Sequence, residues 1–267
     1  MRAKKRLGQH FLPHTAILER IVDALAPRPG DAVLEIGPGR GALTAVLLAR
    51  GARVSAIEKD ADLIAGLRER FPALHLIEGD ALDLRWREAA GLGPDDPMLV
   101  AGNIPYNVTS PLLDKALEPP RPTRIVYLVQ REVADRLGAA PGSSAYGALT
   151  VGVRAAAKVE RLFTVPAGAF VPRPRVDSAV IWLTPLAEPL IPDVDTQAFR
   201  RFVVAIFGAR RKQLARGLRT ALGLDPAAAA LALSSATIDP DARPETLSPG
   251  RFVRLFRAVV DGEGRVS

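Results

Sequence analysis

The chain has no cysteine, which excludes disulfides, thiolate nucleophiles and Cys-ligated zinc. Three histidines are all that remain to bind a metal through imidazole. His10 and His14 stand at i, i+4 but have no evident third ligand, so no metal site is expected. Nor does any stretch approach the roughly 18 apolar residues of a membrane helix, although 48% of the residues are apolar and mean hydropathy is +0.11. A soluble protein with no membrane partner is expected. The N-terminal MRAKKRLGQHFLP is basic but lacks the apolar core and small-residue cleavage site of a secretory signal, so a cytoplasmic location is expected. No internal repeat or long low-complexity tract interrupts the 267 residues. They suffice for one large domain, or for one of about 150 to 200 residues with a smaller companion.

Positive charge is in excess. A net charge of +7 and a pI near 10.2 suggest a polyanionic partner, because such a field steers and retains phosphate backbones. The charge is also clustered. Residues 200–219 contain Arg200, Arg201, Arg210, Arg211, Lys212, Arg216 and Arg219 and no acid, and Arg2, Lys4, Lys5 and Arg6 form a second group. Lys212, Arg216 and Arg219 form a stripe opposite Leu214, Leu218 and Leu222. Such a stripe reads either as a solvated helix face or as a phosphate-contacting surface that gives affinity and register without sequence readout.

From about residue 30, short β-branched runs alternate with helical ones. AVLEIG (32–37), RVSAIE (53–58), LHLIEGD (74–80), MLVAGN (98–103) and RIVYLVQ (124–130) read as strands. Helical segments fall at 42–51 and near 60–70, 111–117, 131–138 and 145–156. This alternation predicts a doubly wound α/β domain with a parallel sheet built from βαβ units. KVERLFTV and SAVIWLTP follow without a helix between them, which suggests an antiparallel pair closing the sheet edge. The Pro-rich PLAEPLIPDVD (185–195) reads as a linker. Beyond it Phe199, Phe202, Val203 and Ile206 fall at i, i+3, i+4, i+7. The expected division is a catalytic domain at 1–188 with a basic N-terminal arm, and a small all-α domain at 189–267.

LEIGPGRGALT places Gly37, Gly39 and Gly41 between the first strand and the first helix, behind Glu35. Glycine permits a tight turn and close approach of backbone to a ligand over a helix N-terminus. The spacing G-x-G-x-G is not the dinucleotide pattern G-x-G-x-x-G. Glu58 closes the second strand, where a carboxylate can accept both ribose hydroxyls, and Asp80 closes the third, where it can accept from an adenine amino group. A bare Gly-rich turn with unrelated strand-end caps is the plainer alternative. An adenosine-bearing ligand without a pyrophosphate clamp points to S-adenosylmethionine, and GPGRG behind Glu35, with Glu58 and Asp80, resembles the class I methyltransferase pattern.

The fourth strand runs into Asn103-Ile104-Pro105-Tyr106, which resembles the N-P-P-Y-type signature of amino-methyltransferases acting on adenine N6. The plainer alternative is a strand end with a Pro turn. An exocyclic amine is a poor nucleophile because its lone pair is delocalised into the ring. Two acceptors aimed at its hydrogens favour the pyramidal, attacking geometry: the Asn103 side-chain oxygen and, as the resemblance implies, the Ile104 carbonyl. Pro105 restricts Ile104 to extended conformations, and Tyr106 offers a face on which an unstacked base can lie. The sulfonium is already activated, so catalysis is mostly positioning and preorganisation.

KKRLGQHFL (4–12) and FVPRPRVDSAV (170–180) are similar to the flanking signatures of ribosomal RNA adenine dimethyltransferases of the KsgA-type small-subunit group, and the resemblance runs from about residue 4 to the ARRKQL segment at 209–214. It implies that His10, at a position where Asn is common, and Leu12 line the cofactor site with Glu35, Gly37, Gly39, Gly41, Glu58, Asp80 and Asn103. It also implies that Phe170 helps to stack the target adenine, a core position being the other reading. Lys4, Lys5, Arg6, Arg210, Arg211, Lys212, Arg216 and Arg219 would then contact RNA. The implied activity is N6,N6-dimethylation of two adjacent adenosines in the 3′-terminal hairpin loop of small-subunit (16S) rRNA, by a monomer acting on a pre-30S particle during ribosome biogenesis. The target would have to be splayed or flipped out of its stack. Two alternatives stand: a large-subunit (23S) dimethyltransferase of the macrolide-resistance type, and a non-catalytic rRNA-binding assembly or transcription factor on the same fold.

Overall fold

The computed structural model describes residues 9–263. Seven strands form one sheet: β1 (Ala32–Ile36), β2 (Arg53–Glu58), β3 (His75–Glu78), β4 (Leu99–Asn103), β5 (Arg124–Gln130), β6 (Ala157–Val165) and β7 (Ser178–Pro185). Their order is β3-β2-β1-β4-β5-β7-β6. The β1–β2, β1–β4, β2–β3 and β4–β5 pairs are parallel, and β5 pairs antiparallel with β7. The expected doubly wound sheet with a reversed edge is therefore present. The helices are α1 (Thr15–Leu25), α2 (Ala42–Ala49), α3 (Ala61–Arg70), α4 (Trp86–Ala89), α5 (Thr109–Ala116), α6 (Arg131–Gly138), α7 (Ala148–Arg154), α8 (Thr196–Gly208), α9 (Leu214–Leu222), α10 (Pro226–Ser235) and α11 (Pro249–Glu263). None of them is long and apolar enough to cross a membrane.

Central strands are buried on both faces because helices cover them, and they read accordingly as continuous apolar runs. All of Val33 to Ile36 in β1 is buried. Strand order reverses between β1 and β4, whose register sets Glu35 beside Ala101. Gly102 allows the two strands to close up at this point: a Cβ there would lie 2.6 Å from the Ile36 carbonyl oxygen. The crevice beyond the carboxyl ends of such strands is where ligands bind in this class of sheet. Helix α1, unforeseen from the sequence, buries Leu18, Ile21, Val22 and Leu25, spaced i, i+3, i+4, i+7, and packs on α2 and the sheet.

The chain divides into two compact units, 1–134 with 159–185, and 135–158 with 186–267. A single cut at 188 therefore does not describe it. Tyr146, Val151 and Ala155 lie in one core with Phe199, Ile206, Leu218, Leu233 and Phe252, and the Tyr146 hydroxyl donates to the Leu247 carbonyl at 2.7 Å. The segment read as a linker is also engaged in this unit: Leu186 and Leu190 donate to the Ala156 and Ala155 carbonyls at 2.8 and 2.9 Å, and Ile191 is buried. As expected, Phe199, Phe202, Val203 and Ile206 form the buried face of α8.

Candidate active site

A cavity of about 240 Å³ opens at the carboxyl ends of β1, β2 and β4. Its floor is the turn after β1. Gly37, Gly39 and Gly41 have φ of 69°, 59° and 77°, the left-handed region that glycine adopts without Cβ strain. Gly37 and Gly39 line the cavity, whereas Gly41 does not. Gly41 precedes α2, and a Cβ there would stand 2.3 Å from the Phe71 ring, so this glycine serves helix packing rather than ligand approach.

Three carboxylates line the cavity. Glu35 is 1% exposed and accepts a hydrogen bond from the Thr44 hydroxyl at 2.6 Å. Burial pushes its pKa up to about 7, and the nearby Glu58 charge adds to the rise against the Thr44 bond. Glu58 accepts from the Gly39 and Asp60 amides at 3.0 and 2.8 Å, which fixes the carboxylate against the glycine turn. Burial also raises its pKa, although these two amides oppose the rise. Asp80 lies two residues beyond the end of β3 rather than on the strand. It pairs with Lys59 and accepts from the Leu82 amide at 3.0 Å. Partial burial acts to raise its pKa, but the Lys59 bond, the Leu82 amide and the Lys59 charge together hold it below the usual value.

The opposite wall is Asn103 to Tyr106. The Asn103 amide nitrogen donates to the His10 carbonyl at 2.8 Å. Because that partner can only accept, the orientation of the amide is fixed and its oxygen is the remaining acceptor. The Ile104 amide donates to the Leu128 carbonyl at 3.0 Å, and Pro105 fixes the next φ at −57°. The Ile104 peptide is thus held from both sides, and its carbonyl accepts nothing among the described residues. Tyr106 exchanges a hydrogen bond with the Ser178 hydroxyl at 2.7 Å. Its ring stacks with His10 at 5.4 Å and 28°. Burial raises the Tyr106 pKa against the Ser178 bond, and the Asp177 charge adds to the rise. The phenol therefore stays protonated at neutral pH.

The N-terminal segment completes the site. Phe11 and Val171 exchange two backbone hydrogen bonds of 3.0 and 2.9 Å. His10 Nδ1 donates to the Pro172 carbonyl at 2.8 Å, which fixes the orientation of the ring. Leu12 is buried and lines the cavity. Phe170 is different. It is 2% exposed, packs in the core with Leu12, Leu18 and Val165 and does not line the cavity. The core position, the other reading of this residue, is therefore the one the structure shows: the ring is enclosed by apolar neighbours and does not face the cavity as a stacking role requires.

The sequence reading missed Gln9, Phe11, Arg40 and Lys59, which also line the cavity. Gln9 donates to Asp60 at 2.8 Å, and the Arg40 guanidinium lies 4.6 Å from the Phe11 ring centre. Proximity to motif residues was the available signal: Gln9 and Phe11 flank His10, Arg40 sits inside the glycine turn and Lys59 follows Glu58. In the second unit, Arg211, Arg216 and Arg219 are exposed and make no ion pair among the described residues. Lys212 reaches the Thr220 hydroxyl at 3.4 Å. Arg210 is half-buried and donates to the Ser144 carbonyl at 3.0 Å, a structural engagement that removes it from the free cationic face. Lys4, Lys5 and Arg6 lie outside the described residues.

A sequence model of ribosomal RNA adenine dimethylases matches residues 1–261. The chain belongs to the ribosomal RNA adenine dimethylase family. Two relatives, each named ribosomal RNA small subunit methyltransferase A, illustrate the match. That of Acidithiobacillus ferrooxidans is 43% identical over 267 residues, 99% of this chain and 97% of the relative. That of Synechococcus elongatus is 45% identical over 266 residues, 96% and 94% of the two chains. Among solved structures, a dimethyladenosine transferase from Plasmodium falciparum superposes with a TM-score of 0.80 at 26% identity, covering 95% of this chain and 98% of the other. The 23S rRNA methyltransferase ErmE gives 0.66 at 29% identity, covering 94% and 99%.

Membership in the dimethylase family makes S-adenosylmethionine the methyl donor. The donor set fits it. Three carboxylates line the same cavity, which suits a ligand carrying a sulfonium and an ammonium and opposes a pyrophosphate. The Glu58 oxygens take the Gly39 and Asp60 amides from the side of the turn, and a carboxylate has lone pairs to spare for two ribose hydroxyls.

Proposed function

We propose that the chain dimethylates N6 of two adjacent adenosines in the 3′-terminal hairpin loop of small-subunit rRNA, as a cytoplasmic monomer acting on a pre-30S particle during ribosome biogenesis. The Asn103 amide carries this reading. With its nitrogen held by the His10 carbonyl, its oxygen is presented as a fixed acceptor in a cavity whose carboxylates suit a cationic methyl donor.

In this reading Glu58 holds the ribose hydroxyls, Asp80 the adenine amino group, and Glu35, Gly37, Gly39, His10 and Leu12 the rest of the cofactor. When bound, the cofactor supplies a methyl group already activated on sulfur. The protein has then to position an amine. The Asn103 oxygen and the Ile104 carbonyl accept the two N6 hydrogens and favour the geometry in which the nitrogen lone pair points out of the purine plane. Tyr106, one face covered by His10, offers its other face to the base, a stack worth about 1–3 kcal/mol. Both acceptors are set before the substrate arrives, so little reorganisation opposes the transfer. The exposed Arg211, Arg216 and Arg219 of the second unit hold RNA phosphates.

The names of the relatives at 43% and 45% identity support the small-subunit target. The test uses radiolabelled S-adenosylmethionine with 30S particles lacking the modification, 50S particles and protein-free rRNA, followed by mapping of dimethyladenosine. Label at two adjacent adenosines of the 30S rRNA is the expected result. Label on 50S particles alone would assign the large-subunit reaction instead, and saturable rRNA binding without transfer would leave an assembly factor.

A further inference from the structure

The segment between Phe170 and Ser178 is built differently from an ordinary surface loop. Pro172 and Pro174 restrict its backbone. Val171 is bonded to Phe11, and the Pro172 carbonyl accepts from His10 at 2.8 Å. Asp177 accepts from the Ala167 amide at 3.0 Å and pairs with Arg131 at 3.3 Å. Ser178 holds the Tyr106 hydroxyl. The segment is therefore fastened to two residues of the cavity wall, His10 and Tyr106. What it shows to solvent is chemically distinct. Pro174 is buried, while Arg173 and Arg175 on either side of it are exposed and make no hydrogen bond or ion pair among the described residues. Val171 and Val176 are 60% and 46% exposed. The one acid of the segment, Asp177, is already spent. A rigid ridge carrying two free guanidiniums and two bare apolar side chains beside the pocket mouth fits an unpaired polynucleotide, with phosphates for the arginines and ribose or base faces for the valines. Its fixed backbone also lowers the ordering cost of binding.

We propose that residues 171–176 form a docking lip for the single-stranded RNA flanking the target adenosine, with Arg173 and Arg175 contacting its phosphates. The lip rests on the rRNA-methylating reading of the cavity and adds to it a surface that sets how the target strand enters.

The experiment compares the full-length protein with R173A/R175A, R173K/R175K and a charge-matched control, R28A/R68A, whose two exposed arginines lie in the same compact unit. With unmodified 30S particles as substrate, R173A/R175A should raise KM about tenfold and flatten the dependence of log affinity on log salt by about 1.4, roughly 0.7 per lost single-strand contact. Its kcat and cofactor affinity should stay within twofold of the unaltered protein. The lysine variant should recover most of the loss, because a phosphate contact survives as a point charge. An unchanged KM and salt slope would overturn the lip, and so would an equal loss in R28A/R68A, which would reduce the effect to net charge. Absence of any transfer by the unaltered protein would overturn the rRNA reading itself and is a separate outcome.

Discussion

The wall of the cavity and the surface of α9 use polar groups in opposite ways. At the wall, Asn103, Glu58, Glu35 and Tyr106 each have a fixed partner before any ligand arrives. On α9, Arg216 and Arg219 are exposed and unpaired among the described residues, while Leu214 and Leu218 beneath them are fully buried. Chemistry on an amine needs acceptors at one place, so the chain commits side-chain freedom to hydrogen bonds in advance. Phosphate retention needs only charge near a backbone that can shift. Substitutions should accordingly act in different currencies, turnover and folding at the wall, affinity and salt dependence on the helix.

The largest effect is expected at Asn103. Asn103→Ala removes the proposed acceptor of the amine hydrogens and should lower kcat by about 10²–10³-fold, the range for one preorganised hydrogen-bonding group. Cofactor affinity by titration calorimetry should stay within about threefold. A matching loss of cofactor affinity would move Asn103 from the reacting amine to the donor site.

Next comes Glu35, whose pKa is pushed up to about 7. In the unfolded chain it takes the ordinary glutamate value of about 4.5, so between these pH values the folded state binds the extra proton. The stabilising contribution is thus full below about pH 4.5 and is lost as pH rises through 7. The difference corresponds to about 3 kcal/mol. Urea unfolding of the ligand-free protein should show this loss between pH 5 and 8, with Glu58 acting in the same direction because its pKa is also raised. In Glu35→Gln the loss should shrink by most of that amount. A pH dependence identical to that of the unaltered protein would show that Glu35 ionises at its ordinary value.

Much of this wall was legible in the sequence because its residues sit at strand ends, where apolar runs stop at a polar residue. Glu58 and Asn103 close β2 and β4, and the glycine turn announces itself by spacing. What was illegible depends on contacts between distant segments. Nothing local says that Gly41 answers to Phe71, that Phe170 turns into the core, or that Tyr146 joins the core of α8 and α11. Helix α1 had a clear i, i+3, i+4, i+7 signal at Leu18 to Leu25, yet it follows a basic arm whose composition draws attention to charge. The third strand is two residues shorter at its end than its sequence suggests: β3 stops at Glu78 and Gly79 takes a φ of 159°, so Asp80 lies beyond the strand.

Glu58 extends the contrast in a third readout. Glu58→Ala would remove the proposed acceptor for two ribose hydroxyls and leave the Gly39 and Asp60 amides without their partner. Two hydrogen bonds to a charged group, each about 1.5–3 kcal/mol, predict a loss in cofactor affinity of at least about 100-fold by calorimetry. Affinity for rRNA in a filter-binding assay should remain unchanged. A parallel drop in rRNA affinity would mean that the residue holds the turn together for both ligands.

The smallest effect per residue is expected on α9, and it sharpens the division inside the basic cluster. Arg211→Ala, Arg216→Ala and Arg219→Ala combined should lower the slope of log affinity against log salt for 30S particles by about 2–3, given roughly 0.7–0.9 per phosphate contact. Turnover at saturating substrate and the melting temperature should hardly move, since these side chains are exposed and unpaired. Arg210→Ala, though adjacent, should do the reverse. Its guanidinium satisfies the Ser144 carbonyl and lies 3.9 Å from Glu245, so its loss should cost about 1–2 kcal/mol of stability by urea unfolding with little change in salt slope. If the triple variant kept the full salt dependence, the stripe would be a solvated helix face, and the phosphate contacts would have to come from elsewhere on the protein. The two neighbours at 210 and 211 would thus separate charge that holds the fold from charge proposed to hold RNA.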